Sequence, residues 1–491
     1  MKKIIFGLFV FYWGLPCFAQ SNYTDSSELP DSPASQYLEP LLEIWNSGDA
    51  EQVKFFVEQN YAPELLDSAP MDRHIDILLN TNAQHGDHVF HAVRSFDESR
   101  PETELVLILK TTRTELWHAF TIVVSSEEPY KISSLDLSLA SPPTNLPEAS
   151  ALTLEEAATE LDNYLQRMTN KDVFSGNVLL AKNEKVLHQS AHGMASKRFE
   201  VPNNLQTKFN LGSMNKMFTS VAILQLIEAG KVSLNDKLSK FVDESWFSKD
   251  ISDKIEIRHL LTHSSGLGSY FNKTYWETSK NSYRNLNDYK PLIANENLSF
   301  EPGTDNKYSN TGMFMLGVVI EKVTDKDYFS YIQDHIYTPA SMIHSDSYEM
   351  DQPVPNLAIG YHPNPNNESG WNNNLYVNVL KGGPAGGGFS TVEDLHRFAL
   401  ALTGYKLLGK ALTEEAYSPK PNSHSPYYGY GFGVRGTADN RIIGHNGGFQ
   451  GMSTNMNIYL DKGYIAVVLS NYSAASRPIE IKIAELLNRV N

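Results

Sequence analysis

Apolar positions along this chain repeat with two periods, and the switches between them divide it into parts. Leu38, Leu41, Leu42 and Trp45 recur at helical spacing, and Val53, Phe56 and Val57 do so again. Strand-like runs follow at residues 89–93, 105–110, 117–124 and 132–139. Two or three helices ahead of an antiparallel sheet predict a small α+β domain over residues 37–140. Residues 20–36, which precede it, are polar, contain Pro30 and Pro33, and read as a disordered leader. Pro142, Pro143 and Pro147 mark residues 141–151 as a linker.

The second domain, residues 152–491, opens with a predicted helix at 152–168, where Thr153 and Glu156 form a capping box. Runs at 174–181 and 185–192 predict a hairpin, and an apolar helix then runs from the turn at Gly212 and Ser213 to Gly230. Further helices are expected near 257–261, 312–322 and 327–335, and after Thr391. Strands return at 428–435, 441–445, 452–459 and 464–471, before a closing helix at 478–490. Hairpins at both ends with helices between them predict one antiparallel sheet built from both ends. That sheet would be flanked by helices, with the insert as a helical lobe across a cleft. The expected fold class is α+β in two domains.

Composition adds an address and removes several functions. Lys2 and Lys3, an apolar run over residues 4–15 and the small residues Cys17 and Ala19 read as a signal peptide, residues 1–19, cut after Ala19. The apolar run is too short to span a bilayer, and no later segment is long and apolar enough. An exported protein, secreted or periplasmic, is expected. Cutting there removes Cys17, the single cysteine, and with it any disulfide or thiolate site. The net charge of −16 argues against nucleic acid as a partner.

Candidate chemistry centres on Ser213-Met214-Asn215-Lys216. At a helix start, a lysine three residues after a serine shares its face, and a neutral amine there is a base for the hydroxyl. His85, His88 and His91 raise a metal site, but their spacing does not converge and no carboxylates complete a shell, so no metal and no cofactor are expected. The glycines at 382–388 lack a following Gly-Lys-Ser/Thr and read as a tight turn against other backbone. No Gly-x-Ser-x-Gly elbow is present.

Five blocks then occur in order: Phe209-x-Leu211-Gly212-Ser213-x-x-Lys216; His259-Leu260-Leu261-Thr262-His263-Ser264-Ser265-Gly266-Leu267; Pro302-Gly303 before Tyr308-Ser309-Asn310; Pro384-Ala385-Gly386-Gly387; and His445-Asn446-Gly447-Gly448. Together they resemble the serine β-lactamase-like and penicillin-binding-protein-like hydrolases, including class C β-lactamases, family VIII esterases and D-aminopeptidase relatives. The resemblance covers residues 152–491. It implies Ser213 as the acylated nucleophile, with Lys216 and Tyr308 sharing the proton transfers and both titrating below their free values. It further implies backbone N–H groups of Ser213 and Gly448 as oxyanion donors, and Asn310, His445 and Gly447 as substrate-binding positions. Tyr-x-Asn also occurs at Tyr270, Tyr283 and Tyr376, but only Tyr308 follows the Pro-Gly approach.

His445 stands where β-lactamases of this kind carry lysine. A mostly neutral imidazole suits acidic substrates poorly, so ester or amide hydrolysis is expected. D-peptides and β-lactams remain the alternative substrates, and a non-catalytic binding protein on the same fold is a second alternative. Tyr270, Tyr275, Trp276, Tyr283, Tyr427, Tyr428 and Tyr430 are candidates either for an apolar acyl pocket or for internal packing. In the first domain, Asn46-Ser47-Gly48-Asp49, the following helix and the strands around Lys131-Ile132 resemble nuclear-transport-factor-like (SnoaL-like) cone domains. That likeness implies a pocketed cone used for ligand binding, homodimerisation or packing on a partner domain.

Overall fold

The computed structural model describes residues 22–97, 100–364, 367–420, 427–437 and 439–490, and the expected signal peptide lies outside them. The chain divides into two compact units, Met1–Ala151 and Leu152–Asn491.

In the first unit, helices Leu38–Ser47, Ala50–Asn60 and Met71–His85 precede four long strands. Gly48 ends the first helix in the left-handed region at φ +65, and the Asp49 side chain accepts from the Glu51 and Gln52 N–H groups to start the second. Asn46 fastens the first helix to the sheet. Its Oδ1 accepts from the His88 N–H at 2.9 Å and its Nδ2 donates to the His88 carbonyl at 3.1 Å. Trp45 then lies in the core, stacked on His88 with ring centroids 4.0 Å apart.

The polar leader is corrected at one point. Tyr23–Ser26 forms an edge strand paired antiparallel with His88–Phe96, giving a five-stranded sheet. Asp25 makes this strand stable where composition suggested none. Its carboxylate accepts from Arg94 Nε at 2.9 Å, and both side chains are almost wholly buried. A buried pair of this kind is specified across the sheet, so no local pattern announces it.

In the second unit a six-stranded antiparallel sheet runs in the order Gly433–Arg435, Ile442–Phe449, Met452–Tyr459, Tyr464–Ser470, Gly176–Lys182, Lys185–His192. Strand Tyr464–Ser470 pairs with Gly176–Lys182, so the two ends of this unit meet inside the sheet. Period-two alternation sends successive side chains to opposite faces. Val178, Leu180, Ala466 and Val468 pack beneath helices Leu154–Asn170 and Ser476–Arg489. Leu179, Ala181, Ile465, Val467 and Leu469 face the larger core, which holds the helix Asn215–Glu228. That helix is apolar nearly all round because it is surrounded.

Two boundaries differ from expectation. The strand expected at 428–435 is reduced to Gly433–Arg435, because Gly431 turns through φ +82 and the Gly429 N–H donates to the Phe432 carbonyl at 2.8 Å. The strand expected to stop at residue 445 continues to Phe449, taking in both glycines of the last motif.

Candidate active site

Ser213 lies in the 3-10 turn Gly212–Met214, one step before the helix Asn215–Glu228. The turn is pinned on two sides. The Gly212 N–H donates to Asn210 Oδ1 at 2.9 Å, the Leu211 N–H to the Gly388 carbonyl at 2.7 Å, and the Gly387 N–H to the Gly212 carbonyl at 3.1 Å. On the other side Thr454 Oγ1 donates to the Leu211 carbonyl at 2.9 Å. Gly212 is left-handed at φ +52, and a β-carbon there would stand 2.9 Å from the Gly448 nitrogen. The serine turn and the glycine end of strand Ile442–Phe449 are therefore in direct backbone contact.

Lys216 has no solvent exposure, and its Nζ lies 3.0 Å from Ser213 Oγ. The same nitrogen donates to Asn310 Oδ1 at 2.9 Å and to the Ala385 carbonyl at 2.5 Å. Burial pushes the amine well below the ordinary lysine value. Asn310 is held in turn by Ser309, which caps the helix Asn310–Thr324 by accepting from the Gly312 N–H at 2.8 Å. Its Nδ2 donates to Ser269 Oγ at 3.3 Å. A position expected to bind substrate thus also orients the lysine.

Tyr308 is half-buried, with the Lys216 nitrogen 4.8 Å from its ring centroid. Its phenol is raised by burial, against a smaller lowering effect of Ser213. This corrects the expectation that both proton carriers titrate low: the amine moves down and the phenol up, so both favour their neutral forms. The competing tyrosines drop out. Tyr270 and Tyr283 are buried in the core and Tyr376 is 90% exposed.

His445 is 2% exposed, its Nδ1 lies 2.5 Å from the Asn446 carbonyl and its Nε2 lies 3.2 Å from the Tyr428 hydroxyl. Burial first, then the nearby Lys216, keeps its imidazole neutral far below the usual histidine range. Gly447 is closely packed on the side where a side chain would point. The space is filled by backbone, since a β-carbon there would stand 2.0 Å from the Leu211 carbonyl oxygen.

Two groups were given no part in the catalytic set by the sequence. His263 packs its ring 4.5 Å from that of Tyr308 and 4.8 Å from that of Tyr428. Its Nδ1 accepts from the Ser309 N–H at 3.2 Å, and burial beside Lys216 lowers it to about 3. The signal was its place inside a motif block together with a left-handed φ of +59, which only coordinates reveal. Tyr428 had been grouped with pocket or packing tyrosines, and it contacts His445 instead. Of the remaining aromatics, Tyr275 is core, while Trp276 is 45% exposed and stacks on Phe449 at 5.9 Å. Among the described residues no cluster of histidine, cysteine, aspartate or glutamate could hold a metal.

A sheet assembled from both ends of its domain, with a serine, a buried lysine and a tyrosine converging beside its glycine edge, defines a class. A profile of the family described as Beta-lactamase matches residues 161–487, and the chain belongs to that family. It is 31% identical over 327 residues to a penicillin-binding protein of Bacillus subtilis (strain 168), covering 63% of this chain and 71% of that one. A penicillin binding protein from Bacillus halodurans superposes with a TM-score of 0.59 at 29% identity, over 68% of this chain and 98% of that one. D-amino acid amidase from Ochrobactrum anthropi SV3 shares the fold at 20% identity, with a TM-score of 0.58 over 68% of this chain and 98% of its own.

Proposed function

We propose that this protein is an exported serine hydrolase that cleaves an ester or amide bond through an acyl-enzyme on Ser213. The observation that carries the reading is the hydrogen-bond arithmetic at Lys216. A neutral amine has two N–H groups and one lone pair. Asn310 Oδ1 and the Ala385 carbonyl can only accept, so they take both N–H groups. With the amine neutral, the form its burial favours, the Ser213 hydroxyl 3.0 Å away donates into the lone pair. That is the ground state of a general base poised on its nucleophile.

As Ser213 Oγ bonds to the substrate carbonyl, its proton passes to Lys216. Tyr308, neutral and against the lysine, then hands a proton to the leaving oxygen or nitrogen and is restored from Lys216. Backbone N–H groups of Ser213 and Gly448 hold the developing oxyanion, each such donor contributing about 10²–10³ in turnover. Water then releases the acyl group by the reverse proton path.

The neutral wall at His445 favours substrates without a carboxylate at that end, so we rank esters and amides ahead of penicillins and D-alanyl peptides. Penicillin-binding relatives keep β-lactams as the second reading. The export reading rests on residues 1–19, with the cut after Ala19. Intact-mass measurement with a panel of activated esters, amides and a penicillin tests the proposal. Acylation by the esters, lost in Ser213→Ala, is expected. Acylation at any other residue, or unaltered turnover by Ser213→Ala, would overturn it.

A further inference from the structure

Tyr308 lies in an irregular stretch of chain, and both of its sequence neighbours bond to the same residue. The Lys307 N–H donates to the His263 carbonyl at 2.9 Å, and the Ser309 N–H donates to His263 Nδ1 at 3.2 Å. Between these two bonds the imidazole packs on the phenol ring, with centroids 4.5 Å apart. His263 presents its carbonyl and its ring to this stretch from the left-handed region, at φ +59, two residues past the helix Ile257–Leu261. The Ser264 N–H, donated back to the His259 carbonyl at 2.9 Å, closes that turn. Glycine or asparagine is the usual residue at such a helix end, and histidine is among the few others that tolerate it. A residue serving only to end the helix needs no side-chain nitrogen.

We propose that His263 is a positioning residue for leaving-group protonation: its carbonyl and its Nδ1 lone pair clamp the backbone on either side of Tyr308 and hold the phenol beside Lys216. The clamp needs a neutral ring with its hydrogen on Nε2, because an imidazolium has no lone pair to receive the Ser309 N–H. Burial first, then Lys216, keeps the ring neutral by lowering its pKa to about 3. Other bonds hold the same loop further out. Asn306 Nδ2 donates to the Thr262 carbonyl at 2.7 Å, the Gly303 N–H to the Ser264 carbonyl at 2.8 Å, and Ser309 Oγ to the Gly268 carbonyl at 3.0 Å. Loss of Nδ1 should loosen Tyr308 without releasing the loop, so the expected defect is one of placement, not of folding. Its size depends on the leaving group. An amide nitrogen or an alkyl alkoxide needs the proton that Tyr308 supplies, whereas a nitrophenolate departs without it.

The rate consequence rests on the hydrolytic reading, while the clamp itself is testable without turnover. His263→Gly and His263→Asn both suit the left-handed turn and both lose the ring, but Asn Oδ1 can stand in for Nδ1 as the acceptor. On substrates sharing one acyl group, kcat/KM of His263→Gly should fall about 10²-fold for an amide or alkyl ester, the scale of a misplaced proton donor. For the nitrophenyl ester the fall should be about tenfold or less, and His263→Asn should recover at least about tenfold on the amide. Equal losses on both leaving groups, a fully active glycine variant, or asparagine no better than glycine would overturn the proposal. In the unliganded proteins, the Ser309 amide should exchange slowly in the wild type and His263→Asn and fast in His263→Gly. Equal protection in all of them would overturn the clamp, as would ¹H–¹⁵N spectra of the wild type that put the His263 hydrogen on Nδ1. If the wild type hydrolyses nothing, the functional reading fails, and the exchange and the spectra still decide this one.

Discussion

Gly447 and Leu211 stand backbone to backbone: the position a β-carbon would occupy on Gly447 is 2.0 Å from the Leu211 carbonyl oxygen and 2.5 Å from Thr454 Oγ1. Leu211 is two residues before Ser213, so the strand end sets the depth at which the serine turn sits. Gly447→Ala has to move backbone, not a flexible side chain. The expected result is a folded protein with kcat/KM lowered about 10²–10³, the loss typical of a displaced oxyanion donor. Steady-state kinetics beside a thermal melt checks it. Unchanged kinetics would mean that Gly447 does not set the serine's position.

Lys216 gives a pH dependence with a definite sign. Its folded value is pushed well below the ordinary 10.5 by burial, and the form active in acylation is the neutral amine. Activity should therefore rise as pH rises through that lowered value and stay high until Tyr308, raised above the ordinary 10.0, loses its proton. Lys216→Met should abolish the rise and remove at least about 10² of kcat, as expected for loss of a general base. A rate profile governed by a group near 10.5 would contradict the neutral-amine mechanism.

How much of this was legible beforehand depended on range. The helices, the strand pattern and the order of the five motif blocks are local, and alternation along 464–471 matched the two cores that the sheet separates. Ser213, Lys216 and Tyr308 could be placed because each is the only polar residue of its kind in its block. The direction of the Tyr308 shift was not legible, since it depends on how completely the phenol is enclosed. The close approach of Gly447 to Leu211 was not legible for a similar reason, because a missing side chain does not say what packs against it. Tyr428 reaches His445 across 17 positions through a turn at Gly431 that no periodicity encodes.

Strand Tyr23–Ser26 yields a test of the corrected leader. The Arg94 guanidinium also lies 3.8 Å from the Tyr23 ring centroid, so Asp25 and Tyr23 together enclose it. Asp25→Ala leaves a buried cation without its partner, at a cost of about 3–5 kcal/mol. Hydrogen exchange of the full chain should show faster exchange over residues 88–96 in this variant, with the Ser213 turn unaffected. Equal protection in both proteins would mean that the edge strand contributes nothing.

The histidines of the first unit predict acid sensitivity. His85 and His118 meet edge to face at 4.8 Å, and His88 and His118 stack at 6.0 Å. Burial first, then mutual repulsion or Arg113, lowers His85 and His88 to about 4 and His118 to about 2. Their unfolded value is 6.5, so between pH 6.5 and about 4 the unfolded chain binds protons that the folded unit refuses. Stability is complete above 6.5 and falls with pH, by about 1.4 kcal/mol per unit for each histidine in that window. Urea unfolding of the full chain, followed by hydrogen exchange in residues 38–47 around Trp45, should therefore have a lower midpoint at pH 5 than at pH 7. His118→Gln, which cannot be protonated, should narrow the gap between the two midpoints. A midpoint for this unit that is the same at both pH values would mean that the three rings do not resist protonation, and that the closeness of His85, His88 and His118 has no energetic consequence.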